Sequence, residues 1–357
     1  MKKVKFAVIG SGWRAEFYIR IARLVPDRFE LTGLLTRDPD KAAQIAEQFQ
    51  IRTVTNLEDL LKGKPEFVVL SIKRGFVPGF LEQLFALDIP VLCETPPAET
   101  FEELESLWYA SLKNKPRIQI AEQYFLQPFY AAWLQVIRDG MIGPVSNINI
   151  SALHGYHAIS MIRKFLGVDV QSFSVTGQKH LFQVTNTLSR EGPDYSGSLI
   201  EVQRDRATLK YSNGQIAFFD FSGVQYHSFI RTRQLNIQGL RGEIDDLTIR
   251  YLNTDNIPVK SDLNRVDLGI YNNQEWSHQA ILLGDRELYR NPFPNARLND
   301  DEIAVATCML KMREYLDTGN EFYPLRDALE DTYTALLLEK AVNNPGQSIQ
   351  SERQVWH

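Results

Sequence analysis

The chain has 357 residues, with 39 Lys and Arg against 44 Asp and Glu and a formal net charge of -5. Hydrophobic residues at 44% and charged residues at 23% exclude a disordered chain, and the charge balance offers no basic footprint for nucleic acid or an anionic membrane. The length suits two domains, and only two cysteines, Cys93 and Cys308, exclude a disulfide scaffold or a thiolate metal site.

The apolar run before Gly10 is too short for a signal-peptide core, and no stretch reaches the roughly 18 apolar residues of a membrane-spanning helix. A cytoplasmic location without membrane contact is the expectation. Val4–Ile9, Leu31–Leu35, Phe67–Ile72, Val91–Cys93 and Ile118–Ile120 read as short, buried, β-branched strands. Between them, Trp13–Leu24, Pro39–Phe49, Phe76–Leu87 and Phe101–Leu112 read as helices, with Asp38 as an N-cap before Pro39. This alternation predicts a doubly wound parallel sheet over residues 1–121.

The pattern changes over residues 122–357, which predict an α+β domain with a mostly antiparallel open sheet. Pro128–Arg138 reads as a helix, Pro144–Ile150 as a strand, and His154–Leu166 as a helix stopped by Gly167. Ala207–Tyr211 and Gln215–Phe221 flank Asn213-Gly214, which suits a type I′ hairpin turn. Residues 253–298 are polar and weakly patterned and read as long loops. Asp300–Asp317 and Leu325–Asn343 read as closing helices.

Gly10-Ser11-Gly12-Trp13-Arg14-Ala15 follows the first strand and opens a helix, which turns a weak pattern into a strong dinucleotide fingerprint. Gly10 permits the tight turn, Gly12 lets the backbone approach a pyrophosphate, and Ala15 permits close helix packing. The uncapped N–H groups of the helix start, including those of Trp13 and Arg14, suit phosphates. At the end of the second strand, Thr36 stands where NAD-binding units carry an acid, with Arg37 beside it. A hydroxyl and a guanidinium suit the 2′-phosphate of NADP. Asp38 leaves NAD open, because it could cap the helix or serve a ribose.

These residues resemble the Gfo/Idh/MocA family of nicotinamide-dependent oxidoreductases. The resemblance also rests on Thr-Arg-Asp-Pro-Asp-Lys-Ala at 36–42 and on Val91-Leu92-Cys93-Glu94-Thr95-Pro96, which looks like the family's V-x-C-E-K-P. Ala121-Glu122-Gln123-Tyr124, Gly140–Val145 and His157-Ala158-Ile159 extend it into the second half. It implies a Rossmann domain, hydride transfer between NAD(P) and a small sugar-like substrate, and a homodimer or homotetramer formed through the open sheet. It also implies that a lysine, an aspartate and a histidine surround the reacting hydroxyl.

The sequence keeps only part of that set. Thr95 stands at the lysine position, Leu153 at the aspartate position four before the histidine, and Ser160 at the later aspartate position. His157 remains as the candidate proton donor or acceptor. His154, one turn earlier on the same face, is a ligand candidate or a surface residue. Ser71 and Lys73-Arg74 sit at a strand end on the ligand-binding rim, where Lys73 could supply the charge that Thr95 lacks. Glu94 is expected near the nicotinamide ribose or amide, and Gln123 and Tyr124 at the domain junction could touch nicotinamide or substrate. Tyr226-His227 and Trp276-Ser277-His278 offer aromatic rings for sugar stacking or for packing. No histidine spacing or carboxylate cluster indicates a metal. An NADP-preferring oxidoreductase is the leading expectation, tilted toward reduction because a carbonyl needs less basic assistance than an alcohol. A nucleotide-binding sensor without catalysis, or a redox-neutral enzyme with a retained cofactor, are the alternatives.

Overall fold

The computed structural model describes residues 3–189, 192–268 and 277–357; Trp276 lies outside them. Its first six strands are β1 (Val4–Ile9), β2 (Phe29–Leu35), β3 (Thr53–Val54), β4 (Phe67–Leu70), β5 (Val91–Cys93) and β6 (Ile118–Ile120). They form one parallel sheet in the order β3-β2-β1-β4-β5-β6. Every residue of β4, β5 and β6 is buried, as strands covered on both faces require. The crossovers are α1 (Trp13–Leu24), α2 (Pro39–Phe49), α3 (Leu57–Leu61), α4 (Val77–Ala86) and α5 (Phe101–Asn114). The Asp38 carboxylate caps α2, accepting from Asp40 N at 3.0 Å and Lys41 N at 3.2 Å.

Gly10 sets the loop between β1 and α1. Its φ is +121°, and a Cβ there would stand 1.8 Å from the Ser71 carbonyl oxygen at the end of β4. Only glycine allows that approach.

The second half begins with α6 (Pro128–Arg138), β7 (Val145–Ser151) and α7 (Gly155–Leu166), the last ended by Gly167 in the left-handed region at φ +66°. Then come β8 (Phe173–Thr185), the short pair β9 (Leu188–Ser189) and β10 (Gly192–Pro193), β11 (Leu199–Tyr211) and β12 (Ile216–Phe221). They are followed by β13 (Gln234–Gly239), β14 (Gly242–Asp245), β15 (Thr248–Leu252), β16 (Pro258–Leu268), β17 (Ser277–Leu283) and β18 (Arg286–Arg290). Helices α8 (Asp300–Thr318) and α9 (Leu325–Asn343) and strand β19 (Ile349–Gln350) close the chain. Among the described residues, eleven strands make one mostly antiparallel sheet, ordered β18-β17-β16-β15-β14-β13-β7-β12-β11-β8-β19; β7 and β12 are its parallel pair. No helix among the described residues is long and apolar enough to cross a membrane.

Two sequence expectations are corrected here. Among the described residues, 253–268 and 277–298 are not mainly loop, since β16, β17 and β18 pair antiparallel there with Leu263 opposite Leu283, while 269–276 lie outside the described residues. Their apolar signal is weak because, within β16, Leu263 is the one fully buried side chain of a largely solvated strand. The hairpin at Asn213-Gly214 is not a type I′ turn either. Gly214 alone has positive φ (+89°), and its N–H bonds Tyr211 O at 3.0 Å, giving a three-residue loop that ends in a left-handed glycine.

One contact ties the halves together, and another locks two helices of the second half. The first is α8, whose Ile303, Val305, Ala306, Met309 and Met312 pack in one core with Val4, Phe6 and Val8 of β1. The second joins α7 to α9: buried Arg163 donates to Asp331 Oδ1 at 2.6 Å, to Asp327 O at 3.1 Å and to Asp169 O at 3.0 Å. The Tyr323 hydroxyl also donates to Asp331. Burial pushes the Asp331 carboxyl up to about 6, while Arg163 and Tyr323 pull it back down. Asp331→Ala should cost about 3–5 kcal/mol in urea denaturation, because it strands a buried guanidinium. The double change Arg163→Met with Asp331→Leu should recover most of that loss; equal losses in both proteins would show that the ion pair is not the source.

Candidate active site

The loop of the fingerprint opens the cleft. Gly12 is the N-cap of α1 with no side-chain cap, and a Cβ built on it meets nothing within 4 Å. A helix start without a side-chain cap fits the phosphates of a dinucleotide. Ser11 Oγ donates to Thr36 Oγ1 at 3.1 Å, tying this loop to the end of β2. Arg37 is exposed, with its guanidinium 5.3 Å from the centre of the Phe76 ring. Ser71 is buried, and Trp13 is exposed with its ring edge against Phe17.

Arg14 is held by partners from distant parts of the chain. Its guanidinium lies 3.9 Å from Glu94 Oε1 and 2.8 Å from Asp301 Oδ2 at the start of α8. Burial alone would lower its pKa, but Glu94 and Asp301 outweigh this and hold it above the usual range. Tyr18 donates to Glu94 Oε1 at 2.6 Å. Burial raises the Glu94 pKa, opposed by Arg14 and Tyr18. Gln123 and Gln127 donate to Asp301 Oδ1 at 3.0 and 3.2 Å, so one carboxylate joins the fingerprint to the domain junction. Asp301 is absent from the sequence expectations: nothing local in Asn299-Asp300-Asp301 separates it from an ordinary acidic first turn.

At that junction, Glu122 is fully buried and its Oε2 lies 2.7 Å from His157 Nδ1. Its other oxygen accepts from Tyr124 N at 3.1 Å. His157 is itself buried, and the Tyr124 ring lies 4.6 Å from it, centre to centre. The Ser160 hydroxyl donates to His157 O at 3.0 Å, so this aspartate position serves the helix backbone, and Leu153 is wholly buried in the core. Glu122 stands in the motif that carries the family resemblance. Its signal was an acid directly after a buried strand, a place that needs a partner.

A second polar chain lies beside the first. Tyr124 donates its hydroxyl to Tyr226, whose oxygen lies 2.7 Å from His154 Nδ1 and accepts from His154 N at 3.1 Å. Partial desolvation of the His154 ring, with His157 and the Arg74 guanidinium, lowers its pKa to about 4. His154 is therefore neutral at physiological pH. Tyr226, already accepting twice, donates to Nδ1 and leaves the His154 proton on Nε2.

A cavity of about 530 Å³ adjoins His154 and His157, with Pro96, Ala98 and Arg74 on its rim. Thr95 is half-buried just before Pro96, and its N–H bonds the Glu94 carboxylate. Of the two basic residues after β4, Arg74 lines the cavity, whereas Lys73 is exposed and is not among the residues that line it. Of the aromatic candidates, Tyr226 joins the site, while His227 is exposed and His278 is buried beside Asp267 on the far strands.

The His154 assignment has a direct check. An NMR titration should place its midpoint near 4, and Arg74→Leu should raise it. The depressed value means that the folded state binds this proton less readily than the unfolded chain, whose imidazole titrates near 6.5. The stability it contributes is complete above that value and is lost as pH falls toward 4. A midpoint near 6.5 in the folded protein would break the argument.

Comparison with known proteins bears on the nucleotide-binding half and on the fold. Residues 4–122 match the Gfo/Idh/MocA profile, described as an oxidoreductase family with an NAD-binding Rossmann fold. The chain is 22% identical over 208 residues to YteT of Bacillus subtilis, a protein named as an oxidoreductase, covering 54% of this chain and 48% of that one. It is 26% identical over 145 residues to the D-xylose 1-dehydrogenase [NADP(+)] of Haloarcula marismortui, covering 39% of this chain and 40% of that one. The matched segments thus span about half or less of these curated relatives. The fold resembles that of an oxidoreductase from Agrobacterium radiobacter solved with NAD+, L-tartaric acid and magnesium, at TM-score 0.69 and 17% identity over 98% of each chain. Residues 4–122 are thus similar to the NAD-binding Rossmann domain of the Gfo/Idh/MocA oxidoreductases.

Proposed function

We propose that the protein is an NAD(P)-dependent oxidoreductase, preferring NADP, that acts on a hydroxyl or carbonyl of a sugar- or polyol-type substrate. The observation that carries this reading is the buried carboxylate of Glu122 at 2.7 Å from His157 Nδ1. The contact keeps a proton on Nδ1 and leaves Nε2 as the nitrogen free to serve the cavity that His157 lines. As a neutral imidazole, His157 takes a proton from a substrate hydroxyl; as an imidazolium, it gives one to a carbonyl oxygen. The buried Glu122 fixes the ring orientation. Tyr124, against the His157 ring, and Thr95 orient the reacting oxygen, and Arg74 takes the place at the cavity expected for Lys73.

The bound dinucleotide supplies the hydride donor or acceptor. Gly10, Ser11, Gly12, Trp13 and Arg14 would hold its phosphates, Thr36 and Arg37 its adenosine ribose, and Ser71, Glu94 and Gln123 its nicotinamide half. Preference for NADP is supported by the commitment of Asp38 to capping α2, which leaves Thr36 and Arg37 to meet the 2′ position. The NADP-linked D-xylose dehydrogenase among the relatives supports both the cofactor and the substrate class.

His157→Ala should lower kcat about 10²–10⁴-fold with nucleotide affinity unchanged. Glu122→Gln should lower it about 10–100-fold and shift the pH–rate profile. Full turnover by His157→Ala would overturn the assignment, and nucleotide binding with no turnover of any sugar, polyol or ketoacid would favour a non-catalytic nucleotide sensor. Thr36→Asp combined with Arg37→Ala should move the NADPH-to-NADH affinity ratio at least tenfold toward NADH. Equal affinity of the unchanged protein for both would remove the preference.

A further inference from the structure

The cavity beside His157 has a direction as well as a volume. Its long wall is one face of α9, where Thr332, Ala335, Leu336, Glu339, Val342 and Asn343 recur at steps of three and four residues. From Thr332 to Asn343, that wall runs about 16 Å at roughly 1.5 Å per residue. Gln203 and Asp205 of β11 and Phe219 of β12 line it from the inner face of the sheet. A six-membered sugar ring built from bonds of about 1.5 Å is only about 5 Å across, so a single ring at His157 leaves most of the wall uncovered.

The lining also selects by chemistry. Leu336, Val342 and Phe219 offer apolar surface that suits the C–H face of a sugar ring. Glu99, Asp205 and Glu339 place three carboxylates against the one guanidinium of Arg74. Gln203 Nε2 donates to Asp205 Oδ1 at 2.6 Å and fixes that carboxylate as a hydroxyl acceptor. A cavity with this balance accepts hydroxyl donors and repels phosphate or carboxylate groups.

We propose that the cavity takes a neutral saccharide of two or more linked rings, with the reacting ring at His157 and the next ring along α9, and that it discriminates against phosphorylated and uronic sugars. The placement of the reacting ring rests on the oxidoreductase reading above; the size and charge of the ligand do not.

Calorimetric binding to the full chain, with NADPH present and absent, tests this directly. The probes are a panel of neutral disaccharides, their constituent monosaccharides, glucuronate and glucose 6-phosphate. At least one disaccharide should bind tenfold or more tightly than its monosaccharides. Leu336→Trp, or Asn343→Trp at the far end of the wall, should bring that ratio close to one, with folding checked by circular dichroism. Asp205→Asn with Glu339→Gln should strengthen glucuronate or glucose 6-phosphate binding about tenfold. The proposal is overturned if every disaccharide binds no better than its monosaccharides, or if the anionic sugars bind best. Disaccharide binding in a protein that turns over no substrate would support the cavity assignment while overturning the reaction, so the two failures are told apart.

Discussion

The contact between Arg163 and Asp331 fixes the geometry on which the site depends. It locks the C-terminal half of α7 to the first turns of α9 in a place where neither charge is stable alone. The consequence lies at the other end of α7, where the helix start carries His157 toward Glu122. The same lock sets α9 as the wall of the cavity that His157 faces. A rigid pair of helices therefore carries both His157 and the wall of the cavity that it lines. Such support from regular elements holds a site more closely than loops do.

The parallel sheet contributes in a different way. Its strand ends deliver backbone and small side chains, and these need partners from far along the chain. Asp301 supplies them: one carboxylate receives Arg14 on one oxygen and Gln123 and Gln127 on the other. Because Asp301 opens a helix whose apolar face is part of the β1 core, packing of α8 and assembly of the nucleotide cleft are one event. A change that loosens α8 therefore acts on the cleft without touching it.

The parallel half was legible because fully buried strands and capped helices write their own boundaries. Asp38-Pro39 and Gly12 mark helix starts by local chemistry, and the structure places those starts where the residues say. The strands between 253 and 298 were not legible, because a ladder solvated on one face carries polar side chains whose register is set by its neighbours. The site divides along the same line. His157 and Glu94 were visible as motif residues, but the partners that give them roles come from other segments: Glu122 is 35 positions from His157, and Tyr18 is 76 from Glu94. Arg74 rather than Lys73 lines the cavity because Lys73 remains extended, while the 3₁₀ turn begins at Arg74. No spacing in the sequence distinguishes the two.

In the reading proposed above, Thr95 stands where the family resemblance implies a lysine. An ammonium beside a reacting hydroxyl would have to share its space with Arg74 and the two histidines, and like charges in a partly desolvated site weaken each other's protonation. Desolvation first, and His157 and Arg74 after it, lower the pKa of His154. His154 and Tyr226 stay uncharged and present oriented dipoles. The site thus holds a buried carboxylate–imidazole pair and a hydrogen-bond chain from Tyr124 to His154. Such an arrangement sets the orientation of its polar groups before any ligand arrives.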